Sequence, residues 1–171
     1  MRKMEVNVYK FDELSDEAKA KAVDELRYDN SGHDWWDSIY DDAKTIGLKI
    51  NEFDLDRNRH AKGEFLLSAN EVAQNVFNNH GENCETFKTA KEFMNDWQHI
   101  FNNYMDEAHE NYESRESEDE MLSLEDEFLK SILEDYSIML QHEADYLSSD
   151  EAVIEMIEAN EWEFTEDGEL I

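Results

Sequence analysis

Proline is absent from this chain of 171 residues, glycine occurs five times and cysteine once. Without proline, no proline-marked linker divides the chain. The few glycines form no phosphate-cradling loop. With Cys84 alone, no internal disulfide can form, and a reducing compartment fits. Basic residues are also scarce: 15 Lys and Arg face 45 Asp and Glu, a formal charge of −30. A protein of that charge is repelled by bare nucleic acid and by an anionic membrane surface. No run approaches the roughly 20 apolar residues of a membrane span. The opening MRKMEVNVYKF lacks the apolar stretch of a signal peptide, so a cytoplasmic protein with no membrane contact is expected.

What is present is enough to build a core. Apolar residues make up 40% of the chain, with 9 Phe, 7 Tyr and 4 Trp. Acidity therefore does not imply disorder. The charge is one-sided: residues 1–68 carry a net −5, and residues 69–171 a net −25 with only Lys88, Lys91, Arg115 and Lys130 as bases. A near-balanced front joined to a strongly acidic back reads as a directed surface.

Alternation predicts a strand over about residues 4–11. Ser15 is placed to cap a helix whose Ala18, Ala22, Val23 and Leu26 share one side, broken at NSG, 30–32. In HDWWDSIYDDAK, 33–44, Trp36, Ile39, Tyr40, Ala43 and Ile46 form a helical stripe. Asp34 is the expected cap and Gly47 the left-handed stop. Asp37, Asp41 and Asp42 are expected on the outer face. Residues 48–69 read as a hairpin, RNRHAKG being its turn and EFLLSA its second strand. A parity slip near Asn51–Glu52 marks a bulge.

A short helix follows, with Asn70 as cap and Val72, Ala73, Val76 and Phe77 inside. Phe87, Ala90, Met94, Trp97, Phe101, Tyr104 and Ala108 then step by three and four, the seam of a long helix that would pack within the chain or pair in a homodimer. Met121, Leu124, Phe128, Ile132, Tyr136, Met139 and Leu140 mark a second. Ser149 and Asn160 bound a short last helix before an edge strand at Trp162–Phe164 and a turn at Asp167–Gly168. The fold class expected is α+β: a small antiparallel sheet of about four strands packed with helices, plus a long acidic antiparallel helical hairpin. One domain is expected over 1–171, with a mixed part at 1–82, the hairpin at 83–148 and a terminal helix and strand at 149–171.

Catalytic patterns are missing. Asp54, Asp56, Asn58 and His60 begin like a calcium loop. However, Arg59 and Phe65 stand where such a loop needs Gly and Glu, and a strand edge with cross-strand ion pairs explains the residues better. His80 and Cys84 do not make a four-ligand zinc site; a loop histidine and a half-buried thiol are expected. His99, His109 and His142 read as solvated helix residues. No metal and no cofactor is expected, and no enzyme.

The acidic run carries the functional expectation. Asp106, Glu107, Glu110, Glu113, Glu116, Glu118, Asp119, Glu120, Glu125, Asp126, Glu127, Glu134 and Asp135 are candidate partner-binding residues. Trp35 joins them as a candidate contact, lying roughly 100° around the helix from Trp36. At about 1.5 Å of rise per residue, carboxylates at every second or third position approach the charge density of one DNA strand. Such a surface would suit a Lys/Arg-lined channel, so the partner expected is a basic, nucleic-acid-binding protein or complex, with no direct binding to nucleic acid.

Three segments, YKFDELSDEAKAKAVDELR (9–27), HDWWDSIYDDAKTIGLKI (33–50) and FDLDRNRHAKGEFLLSANEVA (53–73), resemble a family of small phage- and prophage-encoded proteins sometimes labelled antitoxin-like. The resemblance covers about the first half and brings no catalytic residues with it. It implies a phage accessory protein acting in the host bacterial cytoplasm. Joined with the charge, it points to an anti-CRISPR or anti-restriction DNA mimic, with an antitoxin-like neutraliser of a basic toxin and a calcium-dependent module as alternatives.

Overall fold

The computed structural model describes residues 7–27, 34–109 and 115–171; the side chains of 103–117 are not described. In chain order the elements are β1 (Tyr9–Lys10), a 3-10 turn at Phe11–Glu13, α1 (Asp16–Leu26), α2 (Asp37–Ile46), β2 (Leu48–Asp54), β3 (His60–Phe65), α3 (Ala69–Asn79), α4 (Glu85–His109), α5 (Arg115–Leu147), α6 (Asp150–Ala159) and β4 (Glu163–Phe164). The protein is mixed α+β. Its described strands form two separate two-stranded antiparallel sheets, β1 with β4 and β2 with β3, which corrects the single sheet of about four. β1 and β4 pair over two residues each, with Phe164 also bridging Leu170, while β2 and β3 close on themselves as a hairpin.

The described residues group into two compact units. One holds the chain up to Trp35 and from His142 onward; the other holds Trp36–Gln141.

In the first unit, the Ser15 hydroxyl accepts from Ala18 N and caps α1 as expected. Ala18, Ala22, Val23 and Leu26 are buried with Phe11, Leu14, Val153, Ile157 and Phe164. Ser149 caps α6 in the same way, its hydroxyl accepting from Ala152 N. Arg27 donates to Ser148 O and Asp150 Oδ1, tying the end of α1 to the start of α6. Beyond α6, Trp162 N donates to Ile157 O and Glu161 N to Glu158 O. That is a Schellman ending, and it puts Glu161 at φ +51°, where glycine is the usual occupant. Gly168 has φ +80° and passes so close to α1 that a Cβ would sit 2.3 Å from Ala18 O.

In the second unit, α2 ends at Gly47 with φ +89°, the expected left-handed stop. Its first cap is Trp36, without a side-chain bond, and not Asp34. Ile39, Ala43 and Ile46 are buried, while Trp36 and Tyr40 are half-buried and meet the Phe53 ring edge-on, 5.6 and 6.2 Å between centroids. The hairpin register shifts between Ile50 and Glu52, which is the expected bulge. Strand β3 starts at His60, earlier than expected, and Leu66 and Leu67 are exposed beyond its end. Lys49 and Lys62 pair across the hairpin with Glu64 and Glu52, whereas among the described residues Asp54 and Asp56 make no cross-strand ion pair of the kind expected for them, and Arg59 turns to Glu134 on α5. Gly63 lets α5 press on the hairpin, since a Cβ there would lie 2.3 Å from Lys49 O and 3.0 Å from Leu133 Cδ2.

Ser68, not Asn70, caps α3, forming a reciprocal box with Glu71. Phe77 is half-buried and faces Phe87 at 4.9 Å. α4 and α5 run antiparallel over their described contacts, since Thr89 meets Asp135 and Phe93 meets Phe128. Of the expected α4 seam, Ala90 is fully buried and Phe87, Met94, Trp97 and Phe101 are half-buried, while Thr86 and Phe93, each one residue before a seam position, are buried in addition, because α4 packs against α3 as well as α5. Trp97 and Phe101 are half-buried and stack on each other at 4.8 Å. Tyr104 and Ala108 lie outside the described side chains. On α5, Phe128, Ile132, Tyr136 and Leu140 are buried as expected; Met139 is exposed, and Leu133 and Ser137 are buried in addition.

Candidate acidic interaction surface

The expected partner-binding residues divide into three groups. Asp106, Glu107, Glu110, Glu113 and Glu116 lie outside the described side chains. Glu118, Asp119, Glu120, Asp126 and Glu127 are exposed on α5, and Glu125 is half-buried. Residues 118–120 and 125–127 are one heptad apart, so each carboxylate of the first group has a counterpart about 10 Å along the axis in the second, the two groups together covering roughly 200° of the helix. No ion pair engages these six among the described residues. Among the described residues seven bases are paired elsewhere: Lys49 and Lys62 across the hairpin, Lys88 with Glu85, Arg59 with Glu134, and Lys10, Lys21 and Arg27 within the first unit.

Glu134 and Asp135 form the third group and are not free surface charges. Glu134 accepts from the Arg59 guanidinium, which leaves the hairpin turn to reach α5 and also donates to Ser137 Oγ at 3.2 Å. Asp135 is half-buried, and its Oδ2 accepts from Thr89 Oγ1 at 2.7 Å. Burial pushes its carboxyl above the usual range; the Thr89 bond opposes this, and the charges of Glu85, Glu134 and Glu92 add to the rise. Trp35 is half-buried and engaged in contacts.

Between α4 and α5 runs a groove of about 480 Å³. Phe93, Leu124 and Phe128 supply its apolar lining, and Glu92, Asp96 and Glu127 stand along it with Asp135. Lys130 is the one cation in its lining. Sequence reading missed this groove. The signal was a polar line on α4, Thr89, Glu92 and Asp96, spaced by three and four and lying beside the buried Phe93.

A second cluster was also missed. Tyr136, fully buried, donates its hydroxyl to Asp42 Oδ2 at 2.7 Å. His80 Nε2 lies 3.4 Å from the same oxygen, and His80 Nδ1 lies 2.7 Å from Thr86 Oγ1. Asp42 is therefore not an outer-face residue. The His80 contact first, and then the Tyr136 bond, hold its carboxyl below the usual range against the effect of burial. Burial, with the Asp42 bond, raises the Tyr136 phenol. The order Thr86–His80–Asp42 has the form of an activated hydroxyl. Thr86 is only 3% exposed, which leaves a substrate no approach to it. The cluster ties α2, the α3–α4 corner and α5 together.

Asp54, Asp56, Asn58 and His60 form the turn and shoulder of the hairpin. Asp54 Oδ1 accepts from Asp56 N at 2.8 Å, and His60 Nδ1 lies 2.8 Å from Asn58 O. Among the described residues, no three His, Cys, Asp or Glu side chains are grouped to hold an ion. His80 is nearly buried rather than a free loop residue, and Cys84 is exposed rather than half-buried. No described helix is long and apolar enough to cross a membrane. Compared with family models, curated proteins and solved structures, the chain has no match.

Proposed function

We propose that this protein is a non-enzymatic inhibitor whose acidic helical face occupies the nucleic-acid-binding surface of a basic partner. The observation that carries the reading is the pair of carboxylate groups at 118–120 and 125–127, presented on one continuous helix and free of ion pairs among the described residues. They sit in a chain of net charge −30. A helix holds such charges at fixed spacing, so the partner's cations meet a preformed array. Long-range attraction raises the encounter rate, and salt screens it. The partner class is a nucleic-acid-handling protein of a host defence system. That setting comes from the phage-like resemblance of residues 9–73, and the charge argument does not depend on it.

The test is competition. Purified restriction and CRISPR effector complexes are titrated with the protein in the presence of labelled duplex DNA, at low and raised salt. Displacement of DNA that weakens roughly tenfold or more on raising the salt is expected. Replacing Glu118, Asp119 and Glu120 by Lys should abolish displacement while the far-ultraviolet spectrum stays native, because all three are exposed. Binding indifferent to salt, or full activity of the Lys variant, would overturn the reading.

A further inference from the structure

The acidic face explains attraction but not fit, and the groove between α4 and α5 adds a shape. Its lining is apolar at Phe93, Leu124 and Phe128, two of which are 3% exposed core residues and therefore fixed in place. Carboxylates stand on both helices that bound it, Glu92 and Asp96 on α4 and Glu127 on α5. None of these three has an ion-pair partner among the described residues. We propose that this groove is the docking cleft for an arginine side chain of the basic partner; the proposal rests on the inhibitor reading above.

Charge complementarity selects the occupant. An aliphatic stem lies well on an apolar floor while a cationic head meets the acidic rim. An ammonium is a compact point charge, whereas a guanidinium presents five N–H donors in a planar fork. Carboxylates contributed by two helices suit the fork, which can bond to both sides at once. A cation there would also relieve the crowding of negative charge around Asp135, whose neighbours include Glu92 and Glu134. Lys130 alone in the lining leaves the groove net negative.

Hexa-arginine and hexa-lysine peptides separate this proposal from the broader one. Each is titrated into the full-length protein at low salt, with affinity and backbone amide shifts recorded. Hexa-arginine should bind about tenfold tighter, as charge-assisted bonds allow, and should shift amides at 92–96 and 124–131. Asp96→Asn with Glu127→Gln should remove that preference. Glu118→Gln with Asp119→Asn, an equal loss of charge outside the groove, should keep it. Equal affinity for the two peptides, equal loss in both variants, or amide shifts that bypass the groove would overturn the arginine cleft and leave the acidic surface standing. Binding of neither peptide would overturn both. The amide shifts need no variant, and both substitutions remove like charges from exposed sites, so folding does not confound the result.

Discussion

Asp42 and Asp135 sit in adjacent parts of the same core, and burial acts on both, yet their carboxyls move in opposite directions. Asp42 receives the Tyr136 hydroxyl and faces His80, and these contacts outweigh desolvation. Asp135 has one Thr89 donor among several carboxylates, and desolvation wins. The consequences for stability have opposite signs. A depressed carboxyl stabilises the fold above its unfolded value near 3.9 and loses that effect as the pH falls through the folded pKa. Asp42→Asn should therefore destabilise the fold at neutral pH. Urea unfolding across the acid range should show the difference closing below about pH 4. A raised carboxyl does the reverse, since its ionised form costs stability above the folded pKa and nothing below the unfolded one. Asp135→Asn keeps an acceptor for Thr89 and should raise neutral-pH stability, with the gain fading as acid protonates the native carboxyl.

Among the elements, α4 and α6 show where local pattern and packing part company. The seam expected on α4 holds at Ala90, but the deepest large side chain is Phe93, one residue before the expected Met94. Periodicity reports that a helix has an apolar side, but α3 and α5 together decide which line of that side is deepest. Phe93→Ala should thus cost about 3–5 kcal/mol, and Trp97→Ala, half-exposed in its stack on Phe101, well under half of that. Thermal or urea unfolding of the two variants side by side checks the order. At the end of α6, Glu161 occupies the left-handed position of a Schellman motif. Its carbonyl accepts from Lys10 Nζ at 2.7 Å, a backbone bond that glycine would preserve. Glu161→Gly should raise stability by about 1 kcal/mol, visible as a higher melting temperature.

Over the whole molecule, self-repulsion dominates. With 45 acids and 15 Lys and Arg, the folded chain holds like charges closer together than the unfolded chain does. Added sodium chloride should raise the melting temperature steadily over the range where the Debye length falls from about 30 Å to about 8 Å. Calorimetry at several salt concentrations checks this, and a flat response would mean that local ion pairs already balance the field. The same salt series weakens partner binding under the proposed function, so stability and affinity should move in opposite directions.

Much that is local was legible in the residues themselves. Ser15 and Ser149 declare helix starts because a hydroxyl in front of a helix satisfies a free backbone N–H. Gly47 declares a stop because other residues are strained in its conformation. The bulge beside Asn51 follows from a broken alternation, and the charge imbalance follows from composition alone. Tertiary structure decided that β1 pairs with β4 in a sheet separate from the hairpin, and which carboxylates stay in water. Asp42 and Tyr136 are 94 positions apart, and Arg59 and Glu134 are 75 apart. Helical spacing around Asp42, Glu134 or Asp135 places each on a polar side, and nothing local distinguishes them from Asp41, Asp126 or Glu127. Only the approach of a distant hydroxyl or guanidinium turns one carboxylate into a structural acceptor and leaves the next as free surface charge. Periodicity is a property of neighbours along the chain, whereas desolvation and pairing are set by whatever the fold brings alongside.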